Sequence, residues 1–256
     1  MLFRSIDEGT LNSYIENNGV IKVDEGTIIL SAKALDEINK SVISNSGIIE
    51  AKGITTKGGK ILLEGDEITL KSTSVVDASG KLGGGEILVG GSWQNSDTSI
   101  RQATTTTIEN GATLDASATD NGDGGTIVVW SDIYNNSSKT LISGSLKAEG
   151  GLFGGNGGRI ETSGYYLETD NASINTNAAN GNKGIWLLDP YSLYINNADS
   201  SIGTFATDGT LPTSGYSKLN LSTLYTRLGT NTVSLTATND INLADRKSTR
   251  LNSSHT

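Results

Sequence analysis

The chain has 256 residues, 32 of them Gly, 2 Pro and no Cys, and a formal charge of −9. Without cysteine there is neither a disulfide scaffold nor a thiolate metal site. Acidic residues are spread along the chain and Lys/Arg form no cluster, which excludes the phosphate-binding surface of a nucleic-acid protein and a polybasic membrane signal. No run approaches the roughly 20 apolar residues of a spanning helix, so no membrane insertion is expected.

The chain opens in mid-pattern. Met1–Glu8 turns charged before any apolar core forms, so no secretory signal is read there, and an internal fragment is expected. Gly19-Val20-Ile21-Lys22-Val23 and Gly26-Thr27-Ile28-Ile29-Leu30 read as strands of an early coil. Between 31 and 45, Ala34, Leu35, Ile38 and Val42 fit one or two helical turns as well as strand plus loop.

From 46 to 188 one repeat dominates. A glycine pair followed by apolar residues at alternate positions occurs at Gly58-Gly59, Gly84-Gly85, Gly124-Gly125 and Gly157-Gly158, with an eroded copy at Lys183-Gly184-Ile185. Such a pair can supply positive φ at a tight corner. The period of two then puts Ile61 with Leu63, Ile87 with Val89, and Ile127 with Val129 on one face. By the same alignment Ile160, Ile185 and Leu187 face inward. A second phrase precedes each pair: Ile49-Glu50-Ala51, Val76-Asp77-Ala78, Leu114-Asp115-Ala116, Leu146-Lys147-Ala148 and Ile174-Asn175-Thr176. Its polar middle residue belongs in water, and Ala51, Ala78, Ala116 and Ala148 form a second inward column. Two strands joined at a corner cannot bury their own apolar face, but stacked coils can, which predicts an all-β solenoid. The isoleucines after the pairs (61, 87, 127, 160, 185) are unevenly spaced, so loops are expected at corners, above all Ser92–Thr107 and Ser131–Thr140.

Asp189-Pro190 should end a strand, because proline cannot donate to the ladder. That divides the chain into a repeat region, 1–190, and a section, 191–244, that either continues the solenoid or opens a second unit. Within the latter, Ser192–Ile195, Thr232–Ala237 and Asp240–Leu243 read as strands. Leu221, Leu224, Tyr225 and Leu228 predict a short helix near 222–228, capped by Ser222 and ended by Gly229. The tail from Asp245 to His255 turns basic, breaks the pattern and resembles the translation of a sequencing-library adapter; residues 245–256 are therefore expected to be non-native.

Three pieces carry a family resemblance. They are Val76-Asp77-Ala78-Ser79-Gly80 with Gly83–Gly91, Leu114–Ala118 with Gly124–Asp132, and Gly157–Gly164 leading into Trp186-Leu187-Leu188-Asp189-Pro190. In this order they resemble the repeat region of filamentous-haemagglutinin-type exoproteins of two-partner secretion. The resemblance implies a right-handed parallel β-helix. It also implies secretion of the parent protein through an outer-membrane transporter to the bacterial surface, and an adhesive role in contact with host or cell-surface glycans or proteins.

Chemistry is thinly supported. Asp120-Asn121-Gly122-Asp123-Gly124 faintly suggests a calcium loop, but lacks the bidentate Glu of an EF-hand and fits turn chemistry as well. Asp77 and Asp115 hold equivalent repeat positions and could stack as paired carboxylates of a glycan-cleaving enzyme. Glu50, Lys147 and Asn175 share that position, which suits a solvated face better. The one histidine, His255, lies in the suspect tail, so no Ser-His or Cys-His pair can be built. Trp93, Trp130, Tyr165 and Tyr166 could stack on sugars or pack under corner loops. No catalytic, cofactor or metal residue is assigned, and the expectation is a non-catalytic surface stalk and contact segment, with a polysaccharide-degrading enzyme and a mechanical spacer as the alternatives.

Overall fold

The computed structural model describes residues 13–33, 40–196 and 217–244. Ala34, Leu35 and Ile38, and the suspect tail, lie outside the described residues; Val42 lies in a strand.

The described residues wind through six complete coils of three strands each. The first coil is β1 (Ser13–Asn17), β2 (Val20–Lys22) and β3 (Thr27–Ser31); the second is β4 (Ser41–Asn45), β5 (Ile48–Glu50) and β6 (Lys60–Glu64). The third is β7 (Glu67–Leu70), β8 (Val75–Asp77) and β9 (Glu86–Val89); the fourth is β10 (Thr105–Ile108), β11 (Thr113–Asp115) and β12 (Thr126–Trp130). The fifth is β13 (Lys139–Ile142), β14 (Ser145–Lys147) and β15 (Arg159–Gly164); the sixth is β16 (Tyr166–Glu168), β17 (Ser173–Asn175) and β18 (Ile185–Pro190). First strands stack on first strands, second on second and third on third. The result is three parallel sheets, here A, B and C, of nine, six and seven strands among the described residues. This is a parallel β-helix.

The core is a stack of columns in strict register. Ile61, Ile87, Ile127 and Ile160 are consecutive partners in sheet C, as are Leu63, Val89 and Val129, and all seven are fully buried. Ala51, Ala78, Ala116 and Ala148 are fully buried beside them. The expectation for the last copy is corrected by one residue. Arg159 pairs with Ile185 and Ile160 with Trp186, so Trp186 and Leu188 point inward. Ile185 is 45 % exposed, and Leu187 is buried on the outer side of the sheet in line with Val128 and Glu161. The slip follows from the erosion of the pair: the lone Gly184 holds the place of Gly158, the second glycine, as its N–H bond to the Thr176 carbonyl shows (2.7 Å, against Gly158 to Ala148 at 2.7 Å).

The reason for the glycine pairs also differs from the reading above. Positive φ occurs at Gly83, Gly90, Gly111, Gly122 and Gly155, and at none of the pair glycines. They are needed because neighbouring coils touch there. A Cβ on Gly84 would lie 1.7 Å from the Ala116 carbonyl oxygen, and one on Gly125 would lie 2.0 Å from that of Gly85. The second glycine also ties its own coil shut, donating to the carbonyl of the small residue that ends the preceding phrase (Gly85 to Ala78, 2.8 Å; Gly125 to Ala116, 2.7 Å).

After β18 the winding changes order. β19 (Ser192–Asn196) and β20 (Ser217–Asn220) are adjacent in sheet A, but β20 lies between β16 and β19, and β22 (Asp240–Ala244) lies beyond β19. β21 (Thr232–Leu235) continues sheet C on β18. In place of a further strand of sheet B stands α1 (Leu221–Leu228). Its cap is Asn220 rather than Ser222: the Asn220 side chain accepts from the Ser222 N–H. The helix ends at Gly229 as expected, in helical rather than left-handed conformation. The free edge of β17 is closed by side chains. Asn231, buried, accepts from the Thr176 N–H (2.9 Å) and donates to the Ile174 carbonyl (3.2 Å), and the Thr230 hydroxyl donates to the same carbonyl. Asn231→Ala is expected to cost about 2 kcal/mol in urea denaturation, since it leaves buried backbone groups unpaired. An unchanged midpoint would show that water replaces the amide at no cost.

Candidate functional site

Three surfaces bring chemistry-bearing side chains together. The first is the outer face of sheet B. Lys22, Glu50, Asp77, Asp115, Lys147 and Asn175 are consecutive partners, so Asp77 and Asp115 do stack. Each nevertheless accepts a backbone hydrogen bond within its own coil. Asp77 Oδ1 accepts from the Ser79 N–H (2.9 Å), Asp115 Oδ1 from the Ser117 N–H (2.9 Å), and Asn175 Oδ1 from the Asn177 N–H (3.0 Å). These are Asx turns that bend the chain out of sheet B. Lys52 bridges Glu50 (3.2 Å) and Asp77 (2.9 Å). The ion pairs hold the Glu50 carboxyl below, and the Lys52 ammonium above, their ordinary ranges, although burial opposes both shifts.

The second surface is the corner between sheets B and C, where the glycine pairs stack into an open groove lined by Asp123, Asn156, Arg159, Lys183 and Ile185 beside the glycines. Of the calcium-like run, Asp120 pairs with Lys81 (3.3 Å), and Asp123 accepts from the Asn156 N–H (2.7 Å). Among the described residues no group of three or more His, Cys, Asp or Glu converges as a metal set would.

The third surface is the outer face of sheet C, and here a loop has closed over the solenoid. Leu62, Leu88 and Val128 form an outer column, joined by Trp130, Ile100 and Ile133 into a second buried cluster against which Trp93 packs. The cover is the segment 92–104, one of the two expected corner insertions, which ends where β10 begins; Ile133 comes from the other. Gly90, at φ 78°, turns the chain out of β9, and Gly91 leaves room for the Trp130 indole, which would stand 2.5 Å from a Cβ there. The base of the flap is closed by the Ala103 N–H on the Gly90 carbonyl (2.8 Å). Trp130 Nε1 donates to Gln102 Oε1 (2.9 Å), and Arg101 pairs with Asp66. Over the far end Trp93 lies against the Arg159 guanidinium, 4.4 Å from its ring centre, a cation–π contact.

Trp93 is thus placed within the flap and Trp130 under it. Tyr165 and Tyr191 stack on each other at 4.5 Å, each covering one face of the other's ring. Tyr166 is half-buried beside Glu168.

One residue that the sequence reading passed over stands out. Glu161 continues the column of Leu62, Leu88 and Val128 and is fully buried. Its Oε2 accepts from the Gln94 N–H of the flap (2.7 Å) and its Oε1 from the Ser163 hydroxyl (3.1 Å). Burial pushes its carboxyl up to about 7; the two hydrogen bonds and Arg159 oppose that rise, and Asp189 on the next coil adds to it. Burial likewise raises Asp189.

No protein-family model matches the chain. A curated relative, the heme/hemopexin-binding protein of Haemophilus influenzae, is 33 % identical over 70 residues, which is 27 % of this chain and 7 % of that protein. Among solved structures, the HMW1 secretion domain from Haemophilus influenzae is similar at 32 % identity and a TM-score of 0.50, over 69 % of this chain and 49 % of that one. The chain therefore spans about half the length of that secretion domain and a small part of the curated relative.

Proposed function

We propose that the chain is a β-helical segment of a secreted two-partner-secretion exoprotein of the filamentous-haemagglutinin type, and that it serves as a non-catalytic stalk and contact surface. The observation that carries the two-partner-secretion part of this reading is the similarity to the HMW1 secretion domain, which extends over more than two thirds of this chain. In the parent protein the partner would be an outer-membrane transporter and the destination the cell surface. The long outer faces support weak, repeated contacts with host or cell-surface glycans or proteins, where avidity rather than a single pocket supplies the affinity. The non-catalytic reading is supported by the fate of Asp77 and Asp115, whose carboxylates close turns. The similarity to the heme/hemopexin-binding protein reaches only 7 % of that protein, so heme or hemopexin binding is not proposed for this chain.

Two measurements test this. The full-length parent, expressed in a Gram-negative host with and without its transporter, should reach the surface only with it. The purified chain, applied to cultured cells and a glycan panel, should bind without releasing sugar. Sugar release would establish the enzyme reading, and complete lack of binding would leave a spacer.

A further inference from the structure

Glu161 breaks the chemistry of its column, and the geometry around it is built to hold a carboxyl group. The neighbours on either side are Val128 and Leu187, both buried and apolar. The flap delivers one backbone N–H to it, that of Gln94. To do so, Gln94 and its neighbour Asn95 adopt left-handed backbone conformations, at φ 48° and 50°, which non-glycine residues seldom occupy. Such a conformation persists where surrounding contacts hold it in place. Among the described residues the charges that act on the Glu161 carboxyl are Arg159 and Asp189, while Lys60 and Glu86, on strands the flap also covers, pair with each other, and Glu64 accepts from the Arg101 N–H. Arg159, on the same strand, lies against Trp93; Asp189 sits two residues beyond Leu187 on β18. In the flap itself, Asp97 is occupied by Ser99, and Arg101 by Asp66.

We propose that Glu161 is a proton-operated latch: its neutral form holds the 92–104 flap against sheet C, and its ionised form loosens it. The neutral carboxyl keeps both observed contacts. Oε2 still accepts the Gln94 N–H, and a proton on Oε1 is donated to the Ser163 hydroxyl. The ionised form keeps two donors but loses the hydration a carboxylate has in water, and two hydrogen bonds do not replace it. Lifting the flap restores that hydration, so ionisation and opening favour each other.

The sign follows from linkage. The closed-state carboxyl titrates near 7 and the open-state one near its ordinary value of 4.5. The closed flap is therefore most stable below the open-state value, and its stability falls as pH rises through that of the closed state. Between about pH 5.5 and about pH 8 the opening equilibrium should rise about 30-fold.

The test is amide hydrogen exchange on the full chain, corrected for the intrinsic pH dependence, reading Gln94, Asp97 and Ala103 in the flap against Ile87 and Val129 in the inner core. The flap amides should lose protection with rising pH while the core amides do not. In Glu161→Gln, which is isosteric and keeps an acceptor for Gln94, the flap should stay protected at every pH. Asp189→Asn should retain most of the dependence. A flat wild-type profile, or the same slope in Glu161→Gln, would overturn the latch. Should that variant fold poorly, a carboxyl carbon-13 titration of the wild type decides: a Glu161 midpoint near 7 supports the latch, and one near 4.5 ends it.

Discussion

Gly125→Ala is expected to destabilise the solenoid by at least about 3 kcal/mol, a loss in the range that follows when a well-packed interior is forced apart. The added methyl would sit 2.0 Å from the Gly85 carbonyl oxygen and 2.7 Å from the Gly84 carbonyl carbon. Both are backbone, so relief requires moving a coil rather than a side chain. The coil cannot move freely. Gly125 N–H is bonded to Ala116 within its own coil, and the neighbouring Thr126 N–H is bonded to the Gly85 carbonyl (2.9 Å). Separating the coils would break the ladder between β9 and β12. Gly19→Ala is the control: among the described residues a Cβ there meets only Asn17 Oδ1, at 3.9 Å, and Gly19 has no positive φ, so a change within about 0.5 kcal/mol is expected. Urea denaturation followed by circular dichroism separates the two. Equal midpoints for Gly125→Ala and the wild type would mean that the coils do not touch at this corner.

That pair of variants also marks where sequence reading reaches its limit. The alternation after each glycine pair, the alanine column and the presence of the two corner loops were legible, because a residue's own neighbours in sequence determine them; the bounds expected for the loops, Ser92–Thr107 and Ser131–Thr140, overrun into β10 and β13, which begin at Thr105 and Lys139. The need for glycine at 84, 85, 124 and 125 was legible as a pattern, but its cause was not. A tight turn is a local property, whereas the approach of Gly85 to Gly125 spans 40 residues and exists only once the coils are stacked. The same holds for β20, which is inserted between β16 and β19, an order no local signal encodes. The helix was readable from Leu221, Leu224 and Leu228. Its cap was displaced by two residues because Asn220 and Ser222 both suit the position, and only the Asn220 oxygen accepts the Ser222 N–H. Glu161 is a different case. It stands in the copy Gly157-Gly158-Arg159-Ile160-Glu161-Thr162, where three other copies carry Leu62, Leu88 and Val128. The signal was present, but a lone Glu on the outer side of a strand reads as solvated until the flap is known to cover it.

A charge at position 127 should be among the most damaging single changes, and the same charge at position 185 among the mildest. The last glycine phrase, read from the sequence alone, gave both isoleucines the same inward role. Ile127 is fully buried between Ile87 and Ile160, and the column around it is apolar throughout. A carboxylate there has no partner and must either be desolvated or take up a proton, at a cost of several kcal/mol either way. Ile185 is 45 % exposed and its place in the register belongs with Thr126 and Arg159 on the outer side. Ile185→Asp should therefore stay within about 0.5 kcal/mol of the wild type, as surface changes do. Trp186 completes the set. It is fully buried in the column expected for Ile185, and its Nε1 donates to the Thr162 hydroxyl (3.1 Å). Trp186→Ala should cost about 3–5 kcal/mol, the range for truncating a large buried aromatic. Denaturant midpoints for the three variants test the register directly. Large losses at 127 and 186 with little at 185 fit the structure. A large loss at 185 with little at 186 would restore the frame read from the sequence and would mean that the sixth coil is threaded one residue out of place.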